Sequence, residues 1–311
     1  MSRYIYLSIL CLLLIIFLPT PRSSQISSKS EIKLNLSKEK ITESPYLSIF
    51  LILGLAYLTL FIAGIGNLTF FIGRKIRKQP LIAFREEEKK FPLSSDKTAK
   101  LFFLITFFVL LSFVLGNLTY TFWKKADFMI PIINNLILEA AVAIVILKYL
   151  KRSLNFSPKL QLLSLLKVYT AMLPLILVSL LINNFLLEKM SVKPTLNPAI
   201  ELFFLSKSKT LSLVLACQVI FLGPVAEELL FRGFIYKIAR KKFSFRCSCL
   251  LVSLLFALIH RVPHNILPLF IISLALCYLY EKTQNILVPI IFHSLHNSIS
   301  FTFLIAIKSL I

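Results

Sequence analysis

The chain has 311 residues, of which 57% are hydrophobic and only 16% are charged. Soluble domains carry roughly a quarter charged residues, so this composition, with a mean hydropathy of +0.83, excludes an ordinary soluble domain and indicates a polytopic membrane protein. The formal net charge of +21 does not indicate nucleic acid as a partner, because Lys and Arg cluster in loops between apolar runs, as they do beside anionic lipid.

Apolar runs of about 15–25 residues, the length that crosses a hydrocarbon core of about 30 Å, recur along the chain. We predict a signal peptide or an amino-terminal anchor at 1–23 and a polar linker at 24–45. Amino-terminal transmembrane helices follow at 46–200 and a carboxy-terminal transmembrane domain at 201–311. The apolar segments of these two parts are predicted at 46–73, 101–122, 129–147, 160–187, 211–238, 247–260, 265–280 and 287–307. The fold class is therefore all-α, a transmembrane helix bundle of about eight or nine apolar segments.

The basic loops predict the orientation of the bundle. Lys and Arg are concentrated in the loop at 74–100, which we therefore place in the cytoplasm. Alternation along the chain then places the basic stretches at 147–152 and 237–246 on the same side. The loop between the sixth and seventh apolar segments, counted from the first run, thus faces the cytoplasm.

Three ionisable side chains interrupt the apolar run at 211–238, in the stretch PVAEELLFRG. Charged groups at membrane depth normally face the protein interior and partner one another. On a helix, Glu228 and Arg232 stand at i and i+4 and can form an ion pair. Glu227 is rotated about 100° from its neighbour, so it has no local cation and is expected to point elsewhere.

All four histidines of the chain follow this stretch: His260, His264, His293 and His296. With a rise of about 1.5 Å per residue, Glu227, His260 and His293 lie within about 10 Å of one another in depth. Asn297 follows His293 at i+4, on the same helix face. We therefore expect an acid and two imidazoles from three helices to converge.

At these residues the chain resembles the CPBP family of intramembrane proteases, which includes type II CAAX prenyl endopeptidases and bacteriocin-processing or self-immunity (Abi) proteins. The resemblance covers about residues 205–307 and leaves His264 and His296 without a role. It is carried by three motifs in the family's order, Glu227-Glu228-Leu-Leu-Phe-Arg232, Phe256-Ala-Leu-Ile-His260 and His293-Ser-Leu-His-Asn297.

The resemblance implies an intramembrane endopeptidase that hydrolyses a peptide bond of a membrane-anchored peptide or protein, with prenylated CAAX-type substrates among the candidates. A carboxylate held away from bulk water suits a general base. The implied roles are water activation by Glu227 and His260, hydrogen bonds from His293 and Asn297 to the oxyanion, and structural support from Glu228 and Arg232. The active site would be reached from the cytoplasmic side.

A divalent metal is the alternative to this metal-independent chemistry. One Glu and two His with an open fourth position form a catalytic zinc set, here Glu227, His260 and His293. The chain lacks a His-Glu-x-x-His helix motif, and its three donors come from separate helices. We favour no cofactor and keep zinc as the alternative.

Two other classes of function compete with a protease. A transporter also carries ionisable groups inside the membrane, but here they cluster in the last third, and only Glu139 and Lys167 interrupt earlier apolar segments. A non-catalytic scaffold or bacteriocin self-immunity protein would tolerate loss of motif residues, whereas all of them are present in this chain.

Overall fold

The computed structural model describes residues 3, 4, 6–8, 10, 11, 47–79, 94–122, 129–157, 162–192, 198–206 and 208–310. Within these ranges the chain forms helices and no strand. Most of the predicted anchor at 1–23 and all of the linker at 24–45 lie outside the described residues. The helices are α1 Leu47–Ile76, α2 Ser95–Phe122, α3 Met129–Leu150, α4 Leu162–Lys189, α5 Pro198–Leu205, α6 Lys209–Arg240, α7 Phe245–Ile259, α8 Ile266–Thr283 and α9 Leu287–Leu310.

The predicted count of eight or nine membrane-spanning segments is not confirmed. Among the described residues, six helices are long and apolar enough to cross a membrane, namely α1, α3, α4, α6, α8 and α9. Helix α7 has 15 residues and rises about 22 Å at 1.5 Å per residue, less than the hydrocarbon core of about 30 Å. Its carboxy-terminal end therefore stops inside the apolar layer if its other end starts at the surface.

Helix α6 is interrupted twice by π-helical turns, at Gln218–Leu222 and Leu229–Tyr236. The α-helical piece Gly223–Glu228 lies between them and carries the two adjacent glutamates. Pro224 stands near its start, where its missing N–H weakens the regular hydrogen-bond ladder. Short π-helical insertions inside α-helices are frequent at functional sites, and here one lies on each side of the acidic pair.

The largest buried apolar cluster surrounds the second half of α6, where α3, α7 and α8 pack against it. It supplies a rigid apolar setting on one side of the glutamates. Its fully or almost fully buried members include Ile146, Leu150, Leu229, Phe234, Phe256, Cys277 and Tyr280.

Helix α1 joins the bundle by a close approach to α4. A Cβ atom on Gly64 would lie 2.2 Å from the Thr170 carbonyl oxygen, so only glycine permits this backbone distance. One turn along, Asn67 Nδ2 donates a hydrogen bond to Thr170 Oγ1 at 2.8 Å. Small residues and polar contacts of this kind hold helices together in lipid, where the apolar surface itself provides little driving force.

Candidate active site

The structure brings the predicted acid and both predicted imidazoles together. Glu227 Oε2 lies 3.7 Å from His260 Nε2 and 4.0 Å from His293 Nε2. The same oxygen is buried and has no hydrogen-bond partner among the described residues. The Glu227 side chain as a whole is 31% exposed, so it lies at the edge of the protein interior with one buried carboxylate oxygen that accepts no hydrogen bond from the described residues.

His260 is held by the helix that carries it. Its Nδ1 lies 2.6 Å from the Phe256 carbonyl oxygen, and because a carbonyl only accepts, Nδ1 is the donor. The other ring nitrogen, Nε2, is thereby left facing Glu227. Phe256 is fully buried, and its ring centroid lies 4.6 Å from that of His260 and 6.0 Å from that of His293. The motif phenylalanine thus packs against both imidazoles.

Glu228 and Arg232 form the ion pair that the i, i+4 spacing predicts. Arg232 Nη1 donates to Glu228 Oε1 at 2.9 Å, and both side chains are fully buried. Arg232 Nη2 also donates to the carbonyl and hydroxyl oxygens of Ser273 on α8, at 3.0 and 2.6 Å. Motif spacing did not predict one further contact: His293 Nδ1 donates to Glu228 Oε1 at 2.9 Å. The pair therefore orients His293 as well as joining α6 to α8.

Asn297 is anchored to the first π-helical turn. Its Nδ2 donates to the Val219 carbonyl oxygen at 2.8 Å. That carbonyl is available because the N–H of Gly223 bonds to Gln218 instead, and Pro224, five residues after Val219, has no N–H to donate. One N–H of the Asn297 amide is used in this way, which leaves its second N–H for the role that the family resemblance implies.

A side chain from α4, which lies before the helices of the site, supports the turn that follows His260. Asn183 of α4 donates through Nδ2 to the Pro263 carbonyl at 3.0 Å, and its Oδ1 accepts from the Leu267 N–H at 3.3 Å. Irregular backbone at membrane depth needs such partners inside the protein. Sequence analysis missed Asn183, although a polar residue within the apolar run at 160–187 was a signal for it.

The two remaining histidines lie on other faces. His264 lies in the short 3₁₀ turn Pro263–Asn265 that follows α7. His296 packs against Tyr169 of α4, with ring centroids 6.2 Å apart.

Glu227, His260 and His293 are spaced somewhat more widely than the ligands of a tetrahedral zinc ion. Donors around a tetrahedral zinc lie about 3.4 Å apart, given bonds of about 2.0–2.1 Å, whereas the carboxylate oxygen is 3.7 and 4.0 Å from the two imidazole nitrogens. The described part of the chain contains no group of three or more His, Cys, Asp and Glu side chains that could hold a metal ion. The zinc alternative therefore gains no support from this geometry.

Comparisons with known proteins cover the same part of the chain. Residues 209–299 match the model of the family "Type II CAAX prenyl endopeptidase Rce1-like". The UPF0177 protein YxdF of Lactococcus lactis subsp. lactis (strain IL1403) is 39% identical over 87 residues, which are 26% of this chain and 47% of that protein. The chain thus spans about half the length of this curated relative, and no solved structure matches it.

The six apolar helices among the described residues indicate a multi-pass integral membrane protein, and residues 209–299 are similar to a family of endopeptidases. Residues 209–299, which carry the Glu, His and Asn motifs, are thus similar to the Rce1-like type II CAAX prenyl endopeptidases, the resemblance that the motifs predicted.

Proposed function

We propose that this protein is an intramembrane endopeptidase that hydrolyses a peptide bond of a membrane-anchored substrate, with prenylated CAAX-type carboxy termini as the first candidates. The observation that carries the proposal is the convergence of Glu227 Oε2 and two imidazole Nε2 atoms within 4.0 Å. A buried acceptor oxygen without a donor is suited to bind and deprotonate a water molecule.

In the proposed reaction, water donates one hydrogen bond to His260 Nε2 and its other proton to Glu227. The oxygen then attacks the scissile carbonyl carbon, and the negative charge moves to the carbonyl oxygen. Glu227 finally transfers the proton to the departing amine as the C–N bond breaks. No step requires a metal or another cofactor.

The oxyanion is the species that needs preorganised donors. We assign the second N–H of Asn297 and the Nε2–H of His293 in its imidazolium form to this role. His293 needs both ring protons for it, since Nδ1 already donates to Glu228. Glu228 and Arg232 act as structural support for that imidazole. We further propose that the substrate reaches this site from the cytoplasmic side. The orientation is inferred from the loops rich in Lys and Arg, which are expected on that side of the membrane.

The test compares cells that contain the wild type, Glu227→Gln or Glu188→Gln. The amide is nearly isosteric with the carboxylate, so Glu227→Gln should remain in the membrane and lose turnover. Glu188 is exposed at the end of α4, and its variant carries the same chemical change away from the site. Membrane proteomics should detect uncleaved precursors that accumulate with Glu227→Gln alone.

The same comparison separates the protease from a non-catalytic scaffold or self-immunity protein. A cellular phenotype that Glu227→Gln restores as fully as the wild type, with no precursor accumulating, would rule out the protease. Proton flux that depends on substrate in proteoliposomes would instead support a transporter.

A further inference from the structure

A third acid, contributed by the amino-terminal half, lies beside the candidate active site. Glu139 belongs to α3, outside the residues 209–299 that match the family. Its Oε1 accepts a hydrogen bond from Gln218 Nε2 at 3.1 Å, and Gln218 is only 8% exposed. Placing an acid inside an apolar helix costs free energy, and a hydrogen-bond partner within the protein reduces that cost. Gln218 is that partner.

Gln218 is the first residue of the π-helical turn that precedes the two glutamates. Its carbonyl accepts the N–H of Gly223, five residues later, and the next carbonyl, that of Val219, accepts from Asn297 at 2.8 Å. Two successive residues of the turn therefore form hydrogen bonds with side chains from two other helices. Gln218 bonds to Glu139 of α3, and Val219 bonds to Asn297 of α9. The turn ends at the α-helical piece that carries Glu227.

Gly223 shows how close Glu139 lies to the acid of the site. A methyl carbon on Gly223 would lie 3.9 Å from Glu227 Oε1, 4.0 Å from Glu139 Oε1 and 3.2 Å from the Gln218 carbonyl oxygen. One small group would thus contact both carboxylates and the π-helical turn. Displacement of the turn would move the segment from Gly223 onward, and with it the Glu227 carboxylate relative to the imidazoles of α7 and α9.

We propose that Glu139 is a positioning residue of this site: through its hydrogen bond to Gln218 it fixes the first π-helical turn of α6 and so places Glu227 against His260 and His293. The inference rests on the proposed peptidase function. It means that the amino-terminal helices complete a site whose motif residues all lie after residue 209.

The experiment uses the full chain in proteoliposomes and a farnesylated peptide that ends in a CAAX sequence, with a fluorophore and a quencher on either side of the scissile bond. It compares Glu139→Leu, Gln218→Leu and the double variant. Each should lower kcat by about tenfold or more, as small misplacements of a catalytic group do, with KM unchanged. The double variant should lose no more than either single one, because the two side chains act as a pair.

Glu139→Gln should rescue kcat, since an amide oxygen can still accept from Gln218. Ile144→Leu, at an exposed position of the same helix, is the matched control and should not alter kcat. Wild-type kcat in Glu139→Leu would overturn the inference. So would a loss in Glu139→Gln as large as that in Glu139→Leu, because the carboxylate charge and not the hydrogen bond would then be required.

Failure of the proposed function has a different signature. In that case the wild type and Glu227→Gln process the peptide equally, and no precursor accumulates in cells. The melting temperatures in detergent of the wild type, Glu139→Leu, Gln218→Leu and the double variant then decide whether Glu139 anchors the turn. Non-additive losses in the double variant support the anchor, and additive losses overturn it.

Discussion

Replacement of Arg232 by Met tests what the buried ion pair contributes. The Arg232 and Glu228 side chains are both fully buried, with Nη1 and Oε1 2.9 Å apart. Without the guanidinium, the Glu228 carboxylate keeps only His293 Nδ1 as a donor among these contacts. The carbonyl and hydroxyl oxygens of Ser273 each lose the hydrogen bond that Arg232 donates. Removing one partner of a buried pair costs about 3–5 kcal/mol, so we expect the free energy of unfolding to fall by that amount.

The chain offers a matched control with the same spacing and distance. Lys100 and Asp96 on α2 also form an i, i+4 pair at 2.9 Å, but their side chains are 55% and 60% exposed. Lys100→Met should therefore cost less than about 1 kcal/mol. Both variants are unfolded reversibly in mixed micelles by titration with sodium dodecyl sulfate, and helicity is followed by circular dichroism. Equal losses for the two would refute the argument that burial sets the contribution of the pair.

Three further predictions follow from the packing and the site. Gly64→Ala places a methyl group 2.2 Å from the Thr170 carbonyl and should lower the free energy of unfolding by about 1–3 kcal/mol, whereas Gly54→Ala, with nothing within 4 Å, should be tolerated; equal melting curves would contradict this. Asn183→Leu removes the donor to the Pro263 carbonyl, so hydrogen exchange of the turn after α7, measured in detergent micelles, should be faster than in the wild type, and an unchanged exchange rate would count against that support. Peptide cleavage by the purified protein should survive exhaustive chelation, and loss of activity that added zinc restores would overturn the metal-independent mechanism.

The positions that the sequence predicted well are those governed by local geometry. The i, i+4 spacing of Glu228 and Arg232 follows from one helical turn, and their ion pair follows from the cost of burying a charge alone. The convergence of Glu227 with His260 and His293 could be argued from depth alone, since helices of known rise return to similar levels. Hydropathy alone does not separate the short α7 from the helices of the described residues that are long enough to span a membrane, so it does not fix the number of spanning helices.

The contacts that the sequence did not predict depend on departures from regular helix geometry. Hydrophobic periodicity assumes a constant angle per residue, so it does not reveal the π-helical turns of α6. Pro224 was visible in the sequence, but its consequence, a carbonyl of Val219 left for Asn297, appears only once the turn is known. Glu139 interrupts an apolar segment, and an ionisable residue at such a position is a signal of a functional or partnered site. Its partner Gln218, 79 residues away, was beyond any local pattern.

The adjacent glutamates serve different partners because successive residues of the α-helical piece Gly223–Glu228 point about 100° apart, and the two π-helical turns that flank this piece change the direction of the segments around it. In a regular helix, one extra residue rotates every later side chain by about 100°, so each π-helical turn changes the face that the following segment presents. The stretch before Gln218 turns Leu211 and Leu215 toward a separate apolar cluster with Phe301. After the turn, Glu228 is directed into the protein, where Arg232 and His293 meet it, while the Glu227 carboxylate stays partly exposed. The parts of α6 on the two sides of its first π-helical turn thus do different things, since the first packs against Phe301 and the second presents an acid to the imidazoles of α7 and α9.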